Sequence, residues 1–168
     1  GASNMDQRMS KDKYYLNIAD AVLDRSTCLR RKYGAIIVKN DEILSTGYNG
    51  APRGRVNCSQ LGYCNREQLN IPSGQRYELC RSVHAEANAI ISAARRDMIG
   101  GTLYLVGRSA ADGELLHDTT SCAMCRRMII NSGITRVVNR IGDDGIEIID
   151  VQNWIVNDES IQPKAEAE

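Results

Sequence analysis

Residues 102–106 read TLYLV, residues 122–132 read CAMCRRMIINS, and residues 135–140 read TRVVNR. The first and third stretches have the length and composition of strands. The middle stretch is long enough for a helix, and Gly133 follows it, as glycine commonly follows the last turn of a helix. Strands that alternate with helices in this way predict an α/β sheet with helices on both faces.

Four further elements precede this unit and one follows it. They are helices over residues 11–25 and 84–97 and strands over residues 35–38, 43–48 and 145–151. Ser10 caps the first helix, Asn40 and Asp41 turn the first two strands into a β-hairpin, and Gly100 stops the second helix. The predicted fold is a three-layer α/β/α sandwich whose mixed sheet opens with an antiparallel hairpin.

The chain has 168 residues, of which 42% are hydrophobic and 25% charged, as in ordinary globular domains. This length predicts a single domain, over residues 5–156. Residues 1–4 (GASN) are interpreted as an expression scar. Residues 157–168 are polar and are expected to form a frayed tail.

Charge and cysteine usage exclude several classes of function. Lys and Arg together number 21, as do Asp and Glu, so the formal net charge is zero. A neutral chain lacks the basic footprint of proteins that bind nucleic-acid polymers or anionic membranes. Its apolar runs are too short for a membrane span. We expect no secretory leader, and the six cysteines then indicate a reducing, cytoplasmic compartment.

Four residues carry the candidate chemistry. Cys122 and Cys125 lie three apart at the start of a predicted helix, so both thiols face the same way and can hold one metal ion. His84, one of only two histidines, adds a third ligand. Three protein ligands leave a fourth position for water, which is typical of catalytic zinc sites. Glu86 begins the other helix together with His84 and can exchange a proton with that water.

Longer motifs surround these residues. They are CLRRKYGAIIV (28–38), GYNGAPRG (47–54), HAEANAI (84–90) and SCAMCRRMIINSGI (121–134). On these motifs the chain resembles the cytidine and deoxycytidylate deaminase family, and most closely its dCMP deaminase branch. The H-x-E and C-x-x-C elements match the signature of zinc deaminases. Two features depart from the family pattern: Ser121 stands where Pro is usual, and the loop over residues 107–121 is longer than usual.

The resemblance implies a reaction and a set of roles. Zinc would be held by His84, Cys122 and Cys125. Glu86 would carry protons while dCMP is converted to dUMP and ammonia, a supply for dTMP synthesis. Asn49 would hydrogen-bond the sugar, and Arg30 and Arg53 would bind the phosphate, which guanidinium groups match well. The partner would be a small nucleotide rather than a nucleic-acid polymer, and the protein is expected to be a homo-oligomer.

Several alternatives stay open. Asn49 also has the character of a turn residue, and each arginine that of a solvated surface charge. A zinc deaminase could act instead on cytidine, on dCTP or on an adenosine in tRNA. A non-catalytic zinc-binding module belongs to another class, and it would lack Glu86 or hold its metal with four protein ligands.

A second zinc ion is predicted for the long segment over residues 49–82, which has no clear hydrophobic period. The candidate ligands are Cys28, Cys58, Cys64 and Cys80. Four thiols are what a closed structural zinc site requires, and a metal would anchor a segment that lacks a core of its own. The alternatives are ordinary buried thiols, or a His or Glu in place of one of the four.

Overall fold

The computed structural model describes residues 7–161. The predicted scar and residues 162–168 of the predicted tail lie outside the described residues. The helices are α1 (Lys11–Leu23), α2 (Cys58–Leu61), α3 (Asn65–Gln68), α4 (Ala85–Ile91), α5 (Arg95–Met98), α6 (Ala123–Ser132) and α7 (Val151–Val156). The strands are β1 (Arg31–Lys39), β2 (Glu42–Tyr48), β3 (Thr102–Ser109), β4 (Arg136–Ile141) and β5 (Gly145–Asp150). None of the described helices has the length and hydropathy that a membrane crossing requires.

The strands form one five-stranded mixed sheet in the order β2-β1-β3-β4-β5. β1 pairs antiparallel with β2 and with β3, β3 pairs parallel with β4, and β4 pairs antiparallel with β5. Asn40 and Asp41 turn the first hairpin with φ angles of 52° and 62°, which Asn and Asp adopt more readily than most residues. The predicted mixed sheet and its opening hairpin are confirmed.

Alternate residues of the central strands face two separate cores. Ile36, Val38 and Tyr104 pack with residues of α1 on one face of the sheet. Ile37 and Leu105 pack on the other face with residues of α4, α6 and α7. This alternation follows from the two-residue period of a strand. The sheet therefore lies between two helical layers, which confirms the predicted three-layer architecture.

Two strands are at least three residues longer than predicted from the sequence. β1 begins at Arg31 rather than at residue 35, and β3 ends at Ser109 rather than at residue 106. The two strands pair with each other along this extension, with Arg31 opposite Ser109. The added ends of the two strands contain polar residues and show no hydrophobic alternation. Their pairing could therefore not be predicted from the sequence.

The predicted helix over residues 84–97 is two helices, because the chain leaves the helical conformation between Ile91 and Arg95. The Arg95 side chain donates a hydrogen bond of 2.7 Å to the carbonyl of Asn131 in α6, which fixes the start of α5 against its neighbour.

The first helix also ends at Leu23 rather than at residue 25. Asp150 caps a further helix, α7, that was not predicted.

An ion pair between Asp12 and Arg136 joins α1 to β4. The two side chains make hydrogen bonds of 2.9 and 2.6 Å, and the Tyr104 hydroxyl donates to Asp12 at 2.7 Å. The hydrogen bonds from Arg136 lower the pKa of Asp12 below its ordinary value of 3.8. A carboxylate whose pKa is lowered by folding stabilises the fold above its ordinary pKa, and this stabilisation is lost as the pH falls through the lowered pKa.

We predict that Asp12→Asn lowers the free energy of unfolding by about 1–2 kcal/mol at neutral pH, a modest value because the pair is partly exposed to solvent. The difference from the wild type should shrink as the pH falls below 3.8, because the wild type then loses the same interaction. Urea denaturation over this pH range measures both effects. Asp144→Asn, at an exposed position, is the control. A difference that stays constant at acidic pH would contradict the ionic contribution.

Candidate active site

The sheet topology brings the start of α6 to one edge of the sheet. β3 ends at this edge, where its Ser109 lies opposite Arg31 at the start of β1. Because β3 and β4 are parallel, the chain must cross back over the sheet between them. The crossover helix is α6, so its first turn lies beside the end of β3.

Gly47 allows α4 to begin at the same edge. A Cβ at position 47 would lie 2.3 Å from the carbonyl oxygen of Ala85 and 2.4 Å from the amide nitrogen of Ala89. Both distances are too short for non-bonded atoms, so only glycine lets α4 pack this closely on β2. The packing fixes the position of His84 and Glu86, which lie at the start of α4.

His84, Cys122 and Cys125 converge at this edge. Nδ1 of His84 lies 3.5 Å from Sγ of Cys122 and 3.4 Å from Sγ of Cys125. Over residues 7–161, they form the one group of three or more His, Cys, Asp or Glu ligand atoms that lie within 4.8 Å of one another. His84 and Cys122 are the N-cap residues of α4 and α6. One imidazole and two thiols suit zinc, and three ligands leave one tetrahedral position open.

The two thiols are close enough to shift each other's pKa in opposite directions. The hydrogen bond with the Cys125 thiol lowers the pKa of Cys122, and the same contact raises the pKa of Cys125. Contact with Cys122 also raises the pKa of His84. The N-terminus of α6 adds to the stabilisation of a thiolate at Cys122. Zinc binding would require both thiols to be deprotonated, since thiolates are the form that ligates the metal.

Glu86 lies beside this group and is only 5% exposed. Burial raises the pKa of its carboxyl above the ordinary value of 4.5. Glu86 lines the same cavity as the ligands His84 and Cys122. A carboxyl with a raised pKa next to a metal-ligating group can accept and release a proton, as general acid–base catalysis requires.

A cavity opens beside Glu86 and His84. Its wall includes residues from the start of β1, from the segment over residues 49–82 and from the loop that precedes α6. The arginines in this wall are Arg30, Arg31 and Arg66. The cavity therefore has a local basic lining, although the chain as a whole is neutral.

The sequence profile described as "Cytidine and deoxycytidylate deaminase zinc-binding region" matches residues 9–140, which include the three ligands and Glu86. The chain belongs to this family. The deoxycytidylate deaminase of Mycobacterium phage D29 is 40% identical over 132 residues, which cover 76% of this chain and 91% of that protein. The deoxycytidylate deaminase of Schizosaccharomyces pombe is 35% identical over 131 residues, which cover 78% of this chain but 37% of that protein.

A solved structure of dCMP deaminase from the cyanophage S-TIM5, in complex with dCMP and dUMP, is also similar. Its sequence identity to this chain is 28% and the TM-score is 0.56. The similarity covers 79% of this chain and 84% of the phage chain. The cytidine deaminase-like fold expected from the sequence is thus confirmed.

Asn49, expected from the family resemblance to bind the sugar, lines the cavity and is 6% exposed. Its Oδ1 accepts hydrogen bonds from Oγ of Ser26 at 2.6 Å and from the amide of Tyr33 at 2.8 Å. Its Nδ2 donates to the carbonyl of Arg31 at 2.8 Å. The oxygen has two lone pairs, and both are engaged, so one N–H is left for a ligand.

The two arginines expected to bind phosphate lie in different places. Arg30 lines the cavity, and its Nε lies 2.8 Å from Oε1 of Glu67. Arg53 is exposed in the turn that follows β2 and is not among the residues that line this cavity. The structure therefore brings Arg30, but not Arg53, to the cavity wall.

The four remaining cysteines of this deaminase-family chain lie in one region. Cys28, Cys64 and Cys80 line the cavity. Cys58 is buried at the start of α2, and a hydrogen bond from the amide of Ser59 to the carbonyl of Thr27 holds it near Cys28. Within the described residues, no three of these four sulfurs come within 4.8 Å of one another. All are free thiols. A second zinc ion held by these cysteines stays a prediction.

The long loop after β3 folds back on the end of that strand. The amide of Ser109 donates to the carbonyl of Glu114, and the amide of Leu116 donates to the carbonyl of Gly107. Thr120 then lines the cavity. Ser121, which stands where the family usually has Pro, is 2% exposed, and its Oγ has no hydrogen-bond partner among residues 7–161.

Sequence reasoning missed Arg66 and Tyr77, which line the cavity from the segment over residues 49–82. Arg66 is only 7% exposed, and its guanidinium carbon lies 4.6 Å from the centroid of the Tyr77 ring. The Tyr77 ring meets the His84 ring edge-on, with centroids 5.4 Å apart. The lack of a hydrophobic period in this segment predicted a functional or metal-bound loop. The sequence spacing does not show which of its charged side chains is buried in the cavity wall.

We predict that the purified protein carries zinc at His84, Cys122 and Cys125, and that Cys125→Ser loses one equivalent because two ligands no longer hold the metal tightly. Metal analysis by mass spectrometry measures the loss. Cys64→Ser is the matched control and should keep this zinc. Full zinc retention in Cys125→Ser would contradict the site, whereas a further equivalent lost only in Cys64→Ser would establish the second site.

Gly47→Ala should move α4 away from β2, since the added methyl group meets the backbone of Ala85 and Ala89. We expect a loss of stability of about 1–3 kcal/mol, as for other overpacked sites, together with weaker zinc binding. Thermal unfolding and zinc titration with a chelator measure these effects. Thr46→Ala, an exposed position on the same strand, is the control. Wild-type zinc affinity in Gly47→Ala would show that α4 does not set the ligand geometry.

Proposed function

We propose that the protein deaminates dCMP hydrolytically and releases dUMP and ammonia, a supply for dTMP synthesis. One observation carries the proposal: the buried carboxyl of Glu86 lies beside a three-ligand group that opens onto a cavity. A structural zinc site has four protein ligands and does not require a buried carboxyl group beside them. The named activity of the D29 and S-TIM5 relatives supports dCMP as the substrate.

His84, Cys122 and Cys125 would hold a zinc ion, which would lower the pKa of a water molecule at its fourth position. Glu86 accepts a proton from the attacking water and delivers it to N3 of the cytosine ring, while the water oxygen bonds to C4. Glu86 then carries the second proton of that water to the amino group. The bond between C4 and the amino nitrogen breaks, ammonia leaves, and the base that remains is uracil. Glu86 has then released both protons that it accepted and is again a carboxylate.

Other parts of the cavity wall are proposed to hold the sugar and the phosphate. The free N–H of Asn49 is suited to donate to a sugar oxygen. Arg30 and Arg53 are the proposed phosphate ligands, because a guanidinium donates two parallel hydrogen bonds to phosphate oxygens. The position of Arg30 in the cavity wall supports its assignment.

The net charge, the free cysteines and the exposed apolar residues support proposals for the partner, the compartment and the oligomeric state. A nucleotide rather than a nucleic-acid polymer is proposed as the partner because the net charge is zero. Six free cysteines favour a reducing compartment such as the cytoplasm. A homo-oligomer is proposed because Ile91, Met124 and Met128 leave apolar surface exposed on α4 and α6.

Ammonia release from dCMP, cytidine, dCTP and deoxyadenosine tests the proposed substrate. We expect dCMP to be turned over far faster than the other three compounds. Preferred turnover of cytidine, dCTP or deoxyadenosine would assign the site to another deaminase target. A zinc-loaded protein that releases ammonia from none of the four would be a binding module.

Glu86→Gln should keep its zinc and lose turnover, because the amide keeps the shape of the side chain but cannot carry a proton. The loss should be at least roughly 10²–10⁴-fold, the usual contribution of a general acid–base group. Steady-state ammonia release, together with zinc analysis, measures this. Glu78→Gln, an exposed residue outside the cavity wall, is the control. Near wild-type turnover in Glu86→Gln would remove Glu86 from the mechanism.

A further inference from the structure

Three arginines line the cavity, and two of them already have carboxylate partners. Nε of Arg30 lies 2.8 Å from Oε1 of Glu67. Nη1 of Arg31 lies 3.3 Å from Oδ2 of Asp118. Both arginines are also substantially exposed, with side-chain exposures of 32% and 44%. Their charges are therefore partly neutralised and partly screened by solvent.

Arg66 differs in both respects. It is only 7% exposed, and none of the ion pairs among the described residues includes it. Burial of a charge without a partner of opposite sign is costly. A buried cation that lines a cavity and lacks a carboxylate partner therefore favours an anionic ligand in that cavity.

The guanidinium of Arg66 is also fixed in place before any ligand arrives. Its Nε donates to the carbonyl of Gln75 at 3.0 Å, and its Nη2 donates to the carbonyl of Pro72 at 3.2 Å. The ring of Tyr77 supports the flat side of the group. These contacts use two of the five guanidinium N–H donors and leave Nη1 without a protein acceptor in the described chain.

Arg66 lines the same cavity as the metal-ligating group but does not adjoin it directly. One aromatic ring, Tyr77, separates its guanidinium from His84 of the metal-ligating group. In a nucleotide, the sugar separates the phosphate from the base. If the base lies beside the metal-ligating group, the phosphate lies farther along the cavity wall, which includes Arg66.

We propose that Arg66 is a specificity-determining residue that binds the 5′-phosphate of the nucleotide and so selects a nucleotide over a nucleoside. This inference rests on the proposed function for its substrate, but the anion site itself rests only on the burial and contacts of Arg66. A purely structural role is the competing explanation, because the same guanidinium ties the carbonyls of Pro72 and Gln75 together. The two roles differ in their effect on a substrate that has no phosphate.

The test compares zinc-loaded wild type, Arg66→Gln and Arg66→Lys on dCMP and on deoxycytidine. We expect kcat/KM for dCMP to fall about 10- to 100-fold in Arg66→Gln, as for loss of a charge-assisted hydrogen bond, with deoxycytidine unaffected. Arg66→Lys keeps the charge but loses the planar fork, so its loss should be smaller and again confined to dCMP. Arg76→Gln, an exposed arginine in the same segment, should behave as wild type on both substrates.

A second measurement does not depend on turnover. Inorganic phosphate, compared with chloride at matched ionic strength, should raise the melting temperature of the wild type and of Arg76→Gln more than that of Arg66→Gln. If dCMP is not deaminated by the wild type but this difference is found, the proposed function fails and the anion site stands. If Arg66→Gln does not fold, Arg66→Lys decides through the ratio of its two kcat/KM values.

Three results would overturn the proposal. The first is an equal fall in kcat/KM for dCMP and deoxycytidine, which would mean a structural role alone. The second is an unchanged kcat/KM for dCMP in a folded Arg66→Gln or Arg66→Lys variant. The third is stabilisation of Arg66→Gln by phosphate to the same extent as the wild type.

Discussion

The parallel pairing of β3 with β4 is the constraint on which the site depends. A parallel pair cannot be closed by a tight turn, so the chain crosses back over the sheet through α6. This crossover places Cys122 and Cys125 at the edge where β3 ends. The close approach of α4 to Gly47 places His84 and Glu86 at the same edge. The metal-ligating group is thus formed by two helix starts that are distant in sequence and brought together by the sheet.

The chemistry of the site depends on two buried ionisable side chains at different places in one cavity. Glu86 lies beside the metal-ligating group, where burial raises the pKa of its carboxyl and suits it to exchange protons. Arg66 is buried without a carboxylate partner among the described residues, with Tyr77 between it and His84. A nucleotide has an uncharged base at one end and an anion at the other, so this distribution of charge fits such a substrate.

Much of this arrangement could be predicted from the sequence. The spacing of Cys122 and Cys125 and the scarcity of histidine identified the ligand group, because metal chemistry restricts which residue types can serve. The layers could be predicted because the apolar residues of the strands and of α1 follow regular periods.

Other features could not be predicted because they depend on contacts between distant residues. The extension of β1 depends on its pairing with β3 across polar residues. The break between α4 and α5 is accompanied by a hydrogen bond from Arg95 to α6. The segment over residues 49–82 has short helices held by individual hydrogen bonds, so the inward direction of Arg66 has no signature in a single sequence.

We propose that the starts of α4 and α6 together hold one zinc ion with three protein ligands and leave its fourth position open. X-ray absorption spectroscopy at the zinc edge tests this ligand set on the Cys64→Ser variant, in which the predicted four-cysteine site is incomplete, loaded with a single equivalent of zinc. We expect the zinc to be surrounded by two sulfur atoms and two lighter atoms, one nitrogen from His84 and one oxygen from water. A shell of four sulfur atoms, or one without sulfur, would contradict it.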